Sequence, residues 1–381
     1  MKKLVSLLLC AMALAALIGG CGSQNAKTPE EKSGPKKLKI VTTIYPLYDW
    51  TKEILGGELE NTDLTLLLRN GVDMHSYQPT AEDLVKISSC DVLIYVGGES
   101  DAWVEDARKE AVNKNMVAIR LMDVIGDRAK REESVEGMEA HHHHDHDKDE
   151  HKHDGKNEHK HDDHDKDGHK HHEDAAEHKH DEHKHEEHKH GHDHDKDGHK
   201  HHDEYDEHIW LSLKNAQICV DAIAEALARA DAVHKESFMK NAEAYKTKLA
   251  ALDAEYEKAV AASPHKTLLF GDRFPFRYLT DDYGLKYYAA FPGCSAETEA
   301  SFETIAFLAA KLDELNLPAI LTIEGGSRKV AETILYNTAK HDRKILSLDS
   351  MQSTKGEKPA AGENYLDVMR KNLDVLKEAL K

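Results

Sequence analysis

HKESFMKNAEAYKTKLAALDAEYEKAVAA, residues 234–262, contains neither Gly nor Pro and carries apolar residues at helical spacing. At 1.5 Å per residue such a helix is roughly 43 Å long, enough to run the length of a two-lobed protein. The segment 234–263 therefore reads as a rigid linking helix. Working outward from it, both flanks alternate short apolar runs with helix-like stretches. On the N-terminal side the strand-like runs are 38–44 (LKIVTTI), 62–68 (TDLTLLL), 91–97 (DVLIYVG) and 116–121 (MVAIRL). On the C-terminal side they are 266–270 (KTLLF), 285–291 (LKYYAAF), 319–323 (AILTI) and 344–348 (KILSL). Strand, helix, strand repeated in this way signals parallel sheets covered by helices. The expected fold class is α/β, with two β/α lobes, 37–233 and 264–381, each holding a mostly four-stranded parallel sheet and joined by one rigid helix.

The charge of this chain is concentrated in one place. Its 381 residues include 71 acidic, 51 basic and 29 His residues, a formal net charge of −20. That balance excludes nucleic acid as a partner, because a phosphate backbone needs a basic face. Residues 141–202 alone hold 24 of the histidines, 20 Asp or Glu and 11 Lys, and the string DHDKDGHKHH occurs at 163–172 and again at 193–202. With no apolar residue beyond Ala175 and Ala176, this insert into the first lobe cannot bury a core and is expected to be disordered. Its imidazoles, with pKa values near 6.5, suit weak and reversible binding of a metal ion that is lost as pH falls. Accessory low-affinity ligands are expected among His141, His142, His143 and His144, and in the HKH units at His169, His171, His199 and His201.

The first 21 residues, MKKLVSLLLCAMALAALIGGC, combine two lysines, an apolar run and Ile-Gly-Gly-Cys. They read as a signal peptide, too short and wrongly flanked for a lasting membrane span. The ending resembles a bacterial lipobox, which would place a lipid on Cys21. Residues 22–36 are polar and suit a flexible tether. The expected location is the extracellular face of the bacterial membrane, lipid-anchored. Cys90, Cys219 and Cys294 then remain, an odd number that excludes a disulfide framework.

In open parallel sheets a ligand site forms beyond the carboxyl ends of the strands. His75, in the loop after 62–68, falls there. So do Asp272 and Arg273, after 266–270, and Glu324, after 319–323. His208 precedes a helix-like stretch and could reach the same crevice. Two imidazoles with one or two carboxylates suit Zn²⁺ in the cleft between the lobes, since Ca²⁺ and Mg²⁺ prefer oxygen shells.

The runs VTTIYPLYDWTKEI, DMHSYQPTAEDLVKISSCDVLIYVG and HIWLSLKNA, with a His-rich insert between the last two, resemble the zinc-type metal-binding lipoproteins of bacterial ABC importers, the cluster A-I solute-binding family related to cell adhesion proteins. The resemblance implies that His75 and His208 are metal ligands and that Glu324 is the fourth. It also implies Zn²⁺ as cargo, an ABC permease and its ATPase as partners, a monomer, little hinge motion and no enzymatic activity. One position departs from the pattern. Relatives have His after the first strand of the second lobe, where this chain has Gly271 in FGDRFPFRY. Asp272 is the expected substitute, against pairing with Arg273 or capping the next helix. Cys294 and a histidine of the insert stay open as sources of the ligand. Manganese or iron uptake on the same fold is the alternative cargo, and a secreted zinc hydrolase using Glu324 or Asp272 as base is the alternative activity.

Overall fold

The computed structural model describes residues 37–69, 71–139, 205–295, 299–353 and 364–381. The signal peptide, the tether, Cys21 and the histidine-rich segment with all its accessory histidines lie outside the described residues. The first half contains β1 (Leu38–Thr42), α1 (Tyr45–Leu55), β2 (Thr62–Leu66), α2 (Ala81–Ser89), β3 (Val92–Tyr95), α3 (Trp103–Lys109), β4 (Val117–Arg120), α4 (Leu121–Ile125) and α5 (Leu213–Ala230). The linking helix is α6 (Lys235–Ala262). The second half contains β5 (Thr267–Phe274), α7 (Arg277–Tyr283), β6 (Lys286–Pro292), α8 (Phe302–Glu314), β7 (Ala319–Ile323), α9 (Lys329–Tyr336), β8 (Lys344–Leu348) and α10 (Tyr365–Ala379).

Both sheets are parallel and share one topology, β2-β1-β3-β4 and β6-β5-β7-β8. In each, the first strand is internal, the second pairs on one side of it and the third on the other. The connections therefore diverge beyond the carboxyl end of the first strand and leave a crevice there. One difference from the sequence reading bears on the site. β5 does not stop at Phe270 but runs to Phe274, with a register irregularity between Phe270 and Arg273 against β6. Asp272 and Arg273 thus lie within the strand, not in a free loop after it.

Helix α6 buries Phe238, Ala242, Tyr245, Leu249, Leu252, Tyr256 and Val260, spaced three or four apart along one stripe. Those side chains belong to one hydrophobic core that also takes Leu66 and Val92 from the first sheet and Leu268 and Leu321 from the second. Polar bonds reinforce the joint. Tyr256 Oη donates to the Met369 carbonyl (2.5 Å), Asn241 Nδ2 to the Ile54 carbonyl (3.0 Å), and the Tyr365 N–H to Asp49 Oδ2 (3.0 Å). The two halves are therefore fused through a shared interior and not merely strung on a spacer. Among the described residues no helix is long and apolar enough to cross a membrane.

Because Leu252 is fully buried in the joint, truncating it leaves a cavity in material both halves share. Leu252→Ala is expected to cost about 2–5 kcal/mol, read as a fall in the urea midpoint. An unchanged midpoint would contradict a common core.

Candidate metal centre

His75 sits on a single 3₁₀ turn, Met74–Ser76, that follows β2. The turn is capped by Asp73, whose Oδ1 accepts the His75 N–H at 3.0 Å, and is pinned by the buried Met74. His75 Nδ1 faces Ser100 Oγ at 2.7 Å and Glu207 Oε1 at 3.2 Å. His208, fully buried, precedes another 3₁₀ turn, Ile209–Leu211. Its Nδ1 lies 2.9 Å from Asp206 Oδ1, which also accepts the His208 N–H at 2.8 Å. The ring rests on Trp210, whose indole N–H donates to the Ser350 carbonyl of the second half.

Both imidazoles thus hold Nδ1 against a carboxylate and turn Nε2 inward, the orientation that carboxylates impose on metal-binding histidines. The two Nε2 atoms are 3.3 Å apart. Two nitrogens each about 2.0–2.1 Å from a tetrahedral Zn²⁺ lie about 3.3 Å from one another. Cys294 completes the group from the loop after β6. Ligand atoms of His75, His208 and Cys294 all fall within 4.8 Å of each other.

Glu207 closes the back of this group. It accepts the Ser100 N–H at 3.1 Å and the Ser100 hydroxyl. Burial alone would raise its carboxyl, but hydrogen bonding from His75 and the nearby His208 hold it below the usual range. Burial likewise disfavours a charged His208, yet Asp206 overrides it and the pKa rises. Asp101, beneath Glu207, accepts the Val96 and Gly97 N–H groups at 2.8 Å and is pushed up to about 7 by burial and by Glu207. The Cys294 thiol is pushed well up by burial and by the carboxylates around it. Gly98 makes the arrangement possible, since a Cβ there would lie 2.0 Å from Glu207 Oε2.

The structure brings together two of the four expected ligands, His75 and His208, and places Asp272 and Glu324 outside the group. Asp272 accepts the Arg273 N–H (2.8 Å) and the Ile323 N–H (3.1 Å), because β5 continues past it and turns its carboxylate toward β7. Glu324 accepts the Ser350 N–H (2.7 Å), the Ser350 hydroxyl and the Gln352 N–H (3.2 Å), tying the end of β7 to the loop after β8. Arg273 serves as a clamp. Its Nη2 is 2.7 Å from Asp73 Oδ2 and its Nη1 donates to the Ser295 carbonyl at 3.3 Å, so it grips the loops of His75 and of Cys294 together. Sequence reasoning missed Glu207, Ser100 and Asp206. The adjacent Asp206-Glu207-His208 was the available signal for two of them.

The family described as zinc-uptake complex component A, periplasmic, matches residues 40–379. The chain belongs to this family. It is 30% identical over 384 residues to the zinc-binding lipoprotein AdcA of Streptococcus pneumoniae, covering 99% of this chain and 61% of that protein. The chain thus spans less than two thirds of the length of the streptococcal relatives it matches. It is 28% identical over 364 residues to the high-affinity zinc uptake system protein ZnuA of Bacillus subtilis, covering 96% of this chain and 94% of that one. The Zn(II)-bound ZnuA-like domain of Streptococcus pneumoniae AdcA superposes with a TM-score of 0.61 at 26% identity, over 90% of this chain and 99% of that domain.

Position 271, where the resemblance led us to expect a histidine, has no room for one. A Cβ on Gly271 would lie 2.6 Å from the Ala331 Cα of α9, which packs directly on β5. Gly271→His is therefore expected to destabilise the protein by about 1–3 kcal/mol through overpacking and to leave metal affinity no higher. A chelator competition showing tighter binding would contradict this. Glu324 offers a second test. Burial, with Asp349 nearby, raises its pKa from 4.5 to about 7. Across that window the unfolded chain ionises while the folded chain keeps the proton, so stability falls as pH rises. Glu324→Gln is expected to flatten this part of the urea midpoint against pH curve without altering tight metal binding.

Proposed function

We propose that this chain captures Zn²⁺ outside the cell through His75 and His208 and delivers it to an ABC permease driven by its ATPase. The observation that carries the reading is the 3.3 Å approach of two Nε2 atoms whose rings are each oriented by a buried carboxylate. A divalent cation satisfies both lone pairs at once. In this reading the lipid on Cys21 holds the monomeric protein at the membrane and the polar residues 22–36 act as a tether. The histidine-rich residues 141–202 collect metal weakly and raise its concentration near the site. They leave the described chain at residue 139 and rejoin it at Tyr205, three residues before His208.

Asp272 and Glu324 hold loops in this reading and do not ligate the ion. Each spends its carboxylate on two backbone N–H groups. With both carboxylates engaged by backbone N–H groups, the transport reading is favoured over a secreted hydrolase. Competition against chelators of known affinity tests the division of labour. His75→Ala is expected to weaken the tight site at least about tenfold, a loss comparable to the larger effects of disturbing a metal's surroundings. Deleting 141–202 should remove several weak sites and leave the tight one. Equal losses in both variants would sink the proposal.

A further inference from the structure

We propose that the third protein ligand of the captured ion is the Cys294 thiolate, and that this sulfur biases the cargo toward zinc. The inference rests on the reading of His75 and His208 as ligands and goes beyond it in naming a donor of different chemistry. Three observations converge on Cys294. Its Sγ belongs to the tight group with the two imidazoles, which none of the described acidic side chains joins. On β5, Gly271 carries no side chain and α9 leaves no room for one, and β6 is the next strand in the same sheet. The loop after β6 is also built to approach. Gly293 brings the backbone so close that a Cβ there would lie 3.2 Å from His208 Cε1 and 2.9 Å from the Phe274 carbonyl.

The loop is held on both sides of the sulfur. The Cys294 N–H donates to Glu132 Oε1 at 3.3 Å, and the Ser295 carbonyl accepts from Arg273 Nη1 at 3.3 Å. The other two described thiols contrast with it. Cys90 and Cys219 are wholly buried in the hydrophobic core, and Cys90 donates to the Ile87 carbonyl. Cys294 alone of the three is half-buried and faces polar groups, with Sγ 3.9 Å from Glu207 Oε1.

Coordination replaces the S–H bond with a metal–sulfur bond and releases the thiol proton to solvent, with no change of oxidation state. Thiolate is a soft donor that favours Zn²⁺ strongly over Mn²⁺, whereas a carboxylate in the same place would suit Mn²⁺. Cargo preference is therefore assigned to the β6 loop.

The test titrates the full chain with Co²⁺ and follows the near-ultraviolet band of thiolate-to-cobalt charge transfer. Residues 141–202 contain no cysteine, so the band is blind to metal held there. The expected result is a band that saturates at one Co²⁺ per chain, disappears when Zn²⁺ is added, and is absent in Cys294→Ser. Zinc affinity in Cys294→Ser should fall at least about tenfold with a much smaller change for Mn²⁺. A second measurement needs no variant. Zn²⁺ should protect one thiol, identified as Cys294 by peptide mapping, from alkylation of the native protein. No band and equal alkylation with and without Zn²⁺, while tight binding still depends on His75, would overturn the assignment and leave the transport reading standing. Tight binding that survives both His75→Ala and His208→Ala would overturn that reading itself.

Discussion

Two imidazole nitrogens facing each other at 3.3 Å in a buried crevice constrain everything around them. When each Nδ1 donates to its carboxylate or hydroxyl and both rings are neutral, each Nε2 presents a lone pair, and at this distance the two nitrogens either share a proton or hold a cation between them. The fold supplies the restraint that keeps them there. Asp206 fixes one ring, and Ser100 with Glu207 fixes the other. All three belong to the first half of the chain, which therefore orients both imidazoles before the second half contributes anything.

The second half contributes enclosure and stiffness. Trp210, beside His208, donates to the Ser350 carbonyl, and Tyr365 Oη donates back to the Trp210 carbonyl at 2.6 Å. The same Ser350 holds Glu324. A chain of contacts thus runs from His208 through an indole into the loop after β8 and the end of β7. Further along the cleft, Glu133 pairs with Arg277 and accepts from Tyr287 Oη at 2.8 Å, and the Glu139 N–H donates to the Ala290 carbonyl at 2.9 Å. These crossings, added to the core that α6 shares with both sheets, favour a protein in which ligand loops move locally and the halves do not swing apart.

The architecture was legible in the sequence because its signals are local. All eight strands fall where short apolar runs alternate with helical stretches, and the gap-free segment at 234–262 is α6 to within a residue. The meeting of His75 and His208 in one crevice was legible too, since both sit in loops whose neighbours carry distinctive residues. Asp272 lies within a strand and not in a loop for a reason that no pattern of apolar residues reveals. The run KTLLF marks the buried part of β5, but the strand continues through an irregularity to Phe274 and turns the carboxylate into a backbone bond. The partners of Glu324 were equally out of view, since Ser350 and Gln352 come from a loop 26 and 28 residues away. Glu207 was hidden because a buried acid beside a histidine looks, in one dimension, like the tail of an acidic tract.

Arg273 shows how one side chain of β5 can order the loops on both sides of the cleft. Its guanidinium joins Asp73, which caps the His75 turn, to the carbonyl beside Cys294. The ion pair lowers the Asp73 carboxyl against the upward pull of burial, so the cap stays charged and the turn stays closed. One long side chain thereby fixes the relative position of two loops from opposite halves. The strand β5 thus sets the geometry of the cleft, and the loop after its neighbour β6 carries the thiol that faces the two imidazoles.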